Sequence, residues 1–288
     1  MIDSIKAGLI ALLPTHAISR IVFRLSRCRV PFIKNNLIRI YLSLFDIDLS
    51  QARESNPFAY SSWNAFFTRS LRDDARPIDQ DDNIIVSPVD GTISQIGYID
   101  DNQIFQAKGH YYSAEALLGD ETLGHEFRNG AFITIYLSPR DYHRIHMPCT
   151  GVLQRMLHIP GRLYSVAPHT VNTIKGMFAK NERVVSLFDS GCGDMALSLV
   201  GAINVGAIET TWAGLVTPPM GRSISDISYP AEEQAHLEKG QEMGRFNLGS
   251  TVILLFQENQ VKWLNNLNAG DRLLMGQAIG QITAGKSA

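Results

Sequence analysis

The chain has 288 residues, 45% of them apolar and 19% charged, with a formal net charge of −2. That is enough apolar material for one large core or two smaller ones, and the near-neutral total gives no general affinity for nucleic acid. Three cysteines, Cys28, Cys149 and Cys192, are odd in number and widely spaced, which excludes a disulfide framework or a cysteine zinc site and reads as free thiols in a reducing compartment.

The charge is divided unevenly. Residues 1–40 hold seven Lys/Arg (Lys6, Arg20, Arg24, Arg27, Arg29, Lys34 and Arg39) against one acid, Asp3, a net of +6, and the remainder carries −8. A basic head on an acidic body predicts an anionic surface as the partner of the head. The longest uncharged run there, Ala7 to Ser19, is interrupted by Pro14 and falls short of the roughly 20 apolar residues that a bilayer span needs. Lys6, the short apolar run and Thr15-His16-Ala17 mimic a cleaved leader. Ala7–Leu13 is at the lower limit for such a core, however, and the basic helical pattern continues past it. Beyond Pro14, Ile18, Ile21, Val22 and Leu25 share one helical face while Arg20, Arg24 and Arg27 share another. A second apolar segment runs from Leu37 to Phe45. Basic amphipathic helices of this kind suit the interface of an anionic membrane; the alternative is a helical subdomain packed on the core with a solvated basic face.

Trp63 to Leu71 reads as a short helix, broken by Arg76-Pro77-Ile78. From about Ile84 the pattern changes to short β runs separated by Gly, Pro, Asn and Asp. The predicted strands are Ile84–Val86, Thr92–Ile96, Ala131–Leu137, Gly151–His158, Val184–Asp189, Met195–Val205, Gly206–Trp212 and Thr251–Phe256, with a helical turn or more at Ser113–Leu118. The expected class is α+β: N-terminal amphipathic helices (residues 1–60) ahead of a β-rich, mainly antiparallel catalytic domain (residues 61–288).

The sequence lacks a G-x-S-x-G elbow, a Walker motif and a G-x-G-x-x-G leading into a helix. His143 and His146 form an H-x-x-H, but no third metal ligand lies near, so no metal is expected. Three stretches are chemically dense: Ser87-Pro88-Val89-Asp90-Gly91; Leu137 to Pro148 with its two histidines; and Lys239 to Phe246, leading into Leu248-Gly249-Ser250-Thr251. Asp, His and Ser on separate loops are the components of a nucleophilic triad. Read singly, Asp90 is equally a turn residue, His146 a loop histidine and Ser250 a hairpin serine.

Taken as an ordered set, these stretches resemble the bacterial phosphatidylserine decarboxylase proenzymes. The resemblance is carried by SPVDG (87–91), QAKGHYYS (106–113), YLSPRDYHRIHMP (136–148), NERV (181–184), VGAINVG (200–206), KGQEMGRF (239–246) and LGST (248–251). It implies self-cleavage between Gly249 and Ser250, with Ser250 as nucleophile, His146 as its base, and Asp90 orienting the imidazole and stabilising its charged form. Ser250 then becomes a covalent pyruvoyl group, the cofactor pyruvate, on a short chain of residues 250–288. It further implies decarboxylation of phosphatidylserine to phosphatidylethanolamine through a Schiff base at position 250. His143 is the candidate proton donor, with His146 the alternative. The implied setting is peripheral, on the cytoplasmic face of the cell (inner) membrane, with an anionic membrane surface as partner, the two cleaved chains held as a heterodimer, and a homodimer of the whole. Two rival readings use the same residues: a serine hydrolase acting through Asp90, His146 and Ser250, and a non-catalytic lipid-binding module.

Overall fold

The change of period along the chain, from helical spacing before residue 70 to short β runs after it, is carried through into the architecture. The computed structural model describes residues 15–203, 207–218, 223–247 and 250–283. Helix α1 (Thr15–Ser26) and helix α2 (Pro31–Leu44) precede a short α3 (Trp63–Phe67). The first 14 residues, including the Ala7–Leu13 run, lie outside the described residues.

The second helix starts six residues earlier than its apolar run predicts. Pro31 at its first turn presets φ, and Lys34 buries its stem while its amine donates to the Phe58 carbonyl (2.7 Å). Lys34, Ile38 and Tyr41 form the buried face. Tyr41, Trp63, Phe66 and Phe67 pack as an aromatic cluster with ring centroids 5.1–6.2 Å apart. Helix α3 is capped by the Ser62 hydroxyl, which accepts from Ala65 N (3.1 Å), and ends at Phe67 rather than Leu71 because Leu71 pairs with Ala52 in a β-bridge. On the outer side of the head Ile21, Leu25, Val30, Phe32, Ile40 and Leu44 are exposed, Phe32 at 79%. Among the described residues no helix is long and apolar enough to cross a membrane.

The body is built on a nine-stranded antiparallel sheet. Its order is Ser225–Ser228, Gly151–Ile159, Arg183–Ser190, Gly193–Val200, Ser250–Phe256, Ala131–Leu137, Gly91–Tyr98 and Arg272–Leu273, with His236–Leu237 also pairing Gly151–Ile159. A four-stranded sheet (Gly214–Leu215, Ile208–Thr210, Glu242–Phe246, Arg144–His146) and a three-stranded one (Ile84–Val86, Ala278–Ile282, Val261–Trp263) complete the site-bearing framework. The α+β, mainly antiparallel class expected from the sequence is the class observed. The expected Met195–Val205 strand is shorter, Gly193–Val200, because Gly201 N leaves the ladder to donate to Glu182 O (2.9 Å). Gly206, expected to open the next strand, lies outside the described residues, and that strand is Ile208–Thr210.

Ser250–Phe256 is central to the large sheet, pairing Ala131–Leu137 on one side and Gly193–Val200 on the other. Its continuous apolar run follows from burial on both faces. Val252, Leu254 and Phe256 join one core cluster, and Ile253 and Leu255 the other. Each such side chain contributes about 1.5–3 kcal/mol on burial. Cys149 and Cys192, 43 residues apart, bring buried thiols together in an S–H···S contact of 3.6 Å, without a disulfide.

Candidate active site

Four segments converge on one end of the large sheet. Asp90 ends the turn after Ile84–Val86, and Gly91 opens the next strand. A Cβ at Gly91 would lie 2.6 Å from Ile135 Cγ2 and 2.7 Å from the Tyr136 carbonyl oxygen, so the chain passes here only as glycine. Leu137 ends its strand directly opposite Ser250. The loop from Ser138 then leads through His143 to the Arg144–His146 strand, where His146 pairs with Glu242. Immediately ahead of Ser250, Phe246 N donates to the His143 carbonyl (3.0 Å) and Asn247 N to that of Ala207 (3.0 Å). Gly249, assigned to the residue before the scissile bond, lies outside the described residues.

Ser250 is fully buried, and its hydroxyl has no hydrogen-bond partner among the described residues. A buried, unsatisfied hydroxyl costs about 1–3 kcal/mol and is a feature that requires explanation.

His146 is held by two bonds that fix its tautomer. Nδ1 lies 2.7 Å from the Gly240 carbonyl, which can only accept, so Nδ1 carries the proton. Nε2 is therefore the lone-pair nitrogen, and it accepts from the Tyr142 hydroxyl at 3.0 Å. Burial pulls the imidazole's proton affinity below its ordinary value, and the Gly240 bond and the nearby Glu242 and Asp90 charges oppose that pull. Burial pushes the Tyr142 phenol up, so it remains a donor. Gly240 sits at φ +78, and a Cβ there would fall 2.2 Å from Ile78 Cδ1, so both conformation and space require glycine at the residue that orients His146.

Asp90 makes no hydrogen bond to His146 among the described residues. Its carboxylate is taken up by Arg76 Nε (2.8 Å) and Nη2 (2.5 Å) in a bidentate pair, with Met275 N as a third donor (2.8 Å). The Asp90 charge lies near enough to favour the protonated form of His146.

His143 is completely buried and stacks on Phe67, with centroids 4.2 Å apart and planes 25° from parallel. Nε2 donates to the Ser138 carbonyl (3.1 Å), which leaves Nδ1 a lone pair with no partner among the described residues. Burial pushes its pKa down to about 3; Asp141 opposes this, and Arg69 adds to it. His143 is therefore neutral across the physiological range. The loop that presents Ser138 is fixed by Asp141, which accepts from Ser138 N (2.7 Å) and Oγ (2.8 Å) and pairs with Arg272.

Arg76, Tyr142, Phe67 and the Gly240 carbonyl are functional neighbours that the sequence did not single out. Tyr142 and Gly240 lie within the dense stretches, yet a backbone acceptor leaves no residue-type signal. Arg76 reads only as a helix breaker beside Pro77. Chemically, the arrangement offers a buried hydroxyl, two neutral imidazoles with opposite tautomers, and an ion pair that supplies negative charge near one of them. In that state His146 is a base whose lone pair is already engaged, and His143 is a base whose lone pair is free.

A family model described as phosphatidylserine decarboxylase matches residues 63–281, and a second, described as PSD, matches residues 5–46. A protein named phosphatidylserine decarboxylase proenzyme from Alkalilimnicola ehrlichii is 56% identical over 255 residues, covering 88% of each chain. Proteins of the same name from Photobacterium profundum and Shewanella denitrificans are 47% and 46% identical over 285 and 288 residues. The first of these alignments covers 98% of both chains, and the second covers 99% of this chain and 100% of the relative.

Proposed function

The chain belongs to the phosphatidylserine decarboxylase family, and from that premise we propose that it converts itself from a single chain into a two-chain enzyme that decarboxylates phosphatidylserine to phosphatidylethanolamine. The observation that carries this reading is the Ser250 hydroxyl: fully buried, without a partner among the described residues, and at the head of a strand paired on both sides. A serine hydrolase needs its serine open to an external ester, which the complete burial of Ser250 denies.

In the self-cleavage, Ser250 Oγ attacks the Gly249 carbonyl carbon, an ester replaces the amide, and the Ser250 nitrogen leaves as an amine. His146 is the proposed base, passing the hydroxyl proton to that nitrogen. Nδ1–H is fixed by Gly240, so Nε2 is the nitrogen that must act, and Tyr142 must give up its bond as it does so. Asp90 stabilises the imidazolium through space while Arg76 and Met275 N hold its carboxylate. Elimination across Cα–Cβ then releases the Gly249 carboxylate, and water displaces ammonia from the resulting dehydroalanine to leave the pyruvoyl group.

The residues fit that group, because it forms from Ser250 itself at a position held by two strands. Once formed, it supplies an electron sink for loss of carbon dioxide from the bound amino acid. His143 is the proposed proton carrier in that step. Its resting state is neutral, so Nδ1 must take up a proton before it can return one, while Phe67 and Ser138 hold the ring in place. The short chain, residues 250–288, stays bound because its strands pair with partners in the long chain: Ser250–Phe256, Arg272–Leu273 and Ala278–Ile282. Met275 N on Asp90 and the Arg272–Asp141 pair cross the same boundary. The head, residues 1–60, is the proposed membrane-association segment. Its exposed Ile21, Leu25, Phe32, Ile40 and Leu44 enter the acyl boundary, and its basic residues meet anionic headgroups on the cytoplasmic face.

Intact mass spectrometry of purified protein, paired with carbon dioxide release from phosphatidylserine vesicles, tests the reading. The expected result is two chains split after Gly249, the smaller one lacking a free N-terminal amine. A catalytically active sample consisting only of the 288-residue chain overturns it.

A further inference from the structure

Helix α3 is only five residues long, yet it holds both segments that the self-cleavage brings together. On the side of the base, Phe67 stacks on His143 with centroids 4.2 Å apart, and the Thr68 carbonyl just after the helix accepts from Arg144 Nε (3.0 Å). Arg144 shares a strand with His146, and its Nη1 also donates to Glu242, the residue paired with His146 (2.7 Å). On the side of the nucleophile, Asn64 Nδ2 donates to Asn247 Oδ1 (2.9 Å), 183 residues away. Asn247 is buried and precedes Ser250 by three residues.

The two amides form a chain with one permitted direction. The Ala207 carbonyl can only accept, and it takes both N (3.0 Å) and Nδ2 (3.2 Å) of Asn247. Asn247 Oδ1 is therefore the atom turned toward α3, and Asn64 must meet it with Nδ2. Asn64 is fixed in turn by the helix. Its carbonyl accepts from Thr68 N (2.9 Å) and Thr68 Oγ1 (2.9 Å), and the Ser62 cap holds the first turn. A buried amide chain that is satisfied in one arrangement holds its members to that arrangement. Ser250 is fixed from the other side by its pairing with Leu137. Only Leu248 and Gly249 stand between these two fixed points, and the scissile peptide is in that interval. Attack on the Gly249 carbonyl needs the reacting atoms aligned at about 3–3.5 Å, and a misplacement of about 1 Å costs on the order of a hundredfold in rate.

We propose that Asn64 is a positioning residue for the self-cleavage: through Asn247 it holds the scissile segment in register with the strand that carries the base, and α3 is the bracket between the two. The role rests on the reading that Ser250 cleaves the chain. It ends with that step, because the bond it serves no longer exists in the two-chain enzyme, where position 250 stays at the head of a strand paired on both sides.

The test follows freshly synthesised full-length chain by intact mass, which gives a first-order rate for the appearance of residues 250–288, and then measures carbon dioxide release per processed chain. Asn64→Asp keeps the shape of the side chain but turns an acceptor toward Asn247 Oδ1, and Asn64→Ala removes the group. In both, self-cleavage should slow about ten- to hundredfold. For Asn64→Ala the melting temperature should fall by only about 2–4 °C, the shift of one net hydrogen bond in a chain of this size. The processed fraction should keep kcat and KM within about twofold of wild type, since no interaction of the decarboxylation step is removed. Asn64→Ala combined with Asn247→Ala should cleave no more slowly than the slower single variant, because both changes open the same clamp. A folded Asn64 variant that cleaves at the wild-type rate overturns the proposal. So does a slowing matched by an equal loss of kcat, which marks the pair as a general support of the site. If neither Asn64 variant folds, Asn247→Ala is judged by the same criteria, and failure of all three to fold also overturns it. Wild-type chain that never splits after Gly249 defeats the self-cleavage reading and this role with it, whereas wild-type splitting with unaffected variants defeats this role alone.

Discussion

The strand that begins at Ser250 and the helices that precede residue 45 are both rich in large apolar side chains, yet the fold uses them in opposite ways. Every residue of Ser250–Phe256 is buried, and the strand is paired on both sides. In the head, Ile21, Phe32, Ile40 and Leu44 are each more than half exposed. Hydrophobicity alone does not separate these two roles; the number of covered faces does. A run covered on both faces can hold a reactive group in register, whereas a helix covered on one face keeps the other for a second apolar phase.

The largest effect that can be set against this contrast comes from one atom of the strand. Ser250→Ala removes the only hydroxyl that can become the ketone, so a single 288-residue chain with no measurable carbon dioxide release is expected by intact mass and activity assay. Because Ser250 Oγ has no partner among the described residues, its loss should leave the melting temperature unchanged or slightly raised. A two-chain product from this variant would sink the assignment. Next in size is Leu254→Ala, deep in the same strand, which should cost about 2–5 kcal/mol in urea unfolding. In the processed enzyme it should lower the urea concentration at which residues 250–288 separate from the long chain. The matching change in the head, Phe32→Glu with Ile40→Glu, should leave stability within about 0.5 kcal/mol, as surface substitutions do. It should also weaken sedimentation with anionic vesicles by at least about tenfold, with turnover of short-chain soluble lipid unaltered. Loss of folding, with no specific loss of vesicle binding, would mean that these side chains belong to the core after all.

The two regions also differed in how far they could be read in advance. The strand was legible because Val252 to Phe256 is short, apolar and preceded by Gly-Ser, and its observed start differs by one residue from the expected one. The head was legible as amphipathic helix, but its second member was under-called because Lys34 at a buried position contradicts the apolar pattern until Phe58 O is seen beside its amine. At the site, residue types were recoverable and partnerships were not. Asp90, the pair His143 and His146, and Ser250 stand in three segments that converge on one sheet end. The bond that orients His146 comes from the Gly240 main chain, 94 residues away, and the one that claims Asp90 from Arg76. Backbone acceptors carry no side-chain signature, and a guanidinium on an acid looks in sequence like any other surface charge.

His143 joins the two regions, stacked on Phe67 from the head side and bonded to Ser138 beside the strand, and it gives the smallest and most local prediction. Its pKa lies at about 3 in the fold against an ordinary value of 6.5, chiefly through burial, with Arg69 adding to the depression and Asp141 opposing it. Above pH 6.5 the imidazole is neutral folded or unfolded, so its contribution to stability is fully present. Between 6.5 and 3 the unfolded chain binds a proton that the folded chain refuses, and stability falls as pH falls, by up to about 1.4 kcal/mol per pH unit. His146, also depressed by burial, acts in the same direction. The window from pH 6.5 to about 4.5 lies above the ordinary carboxylate range, so it isolates the histidines. His143→Gln should therefore flatten the decline in urea-derived stability across that window without abolishing it, because His146 remains. If His143→Gln and wild type lose stability in parallel from pH 6.5 to 4.5, the ring is not held neutral by its surroundings. The contrast between a sealed strand and an open head would then not extend to the residue between them.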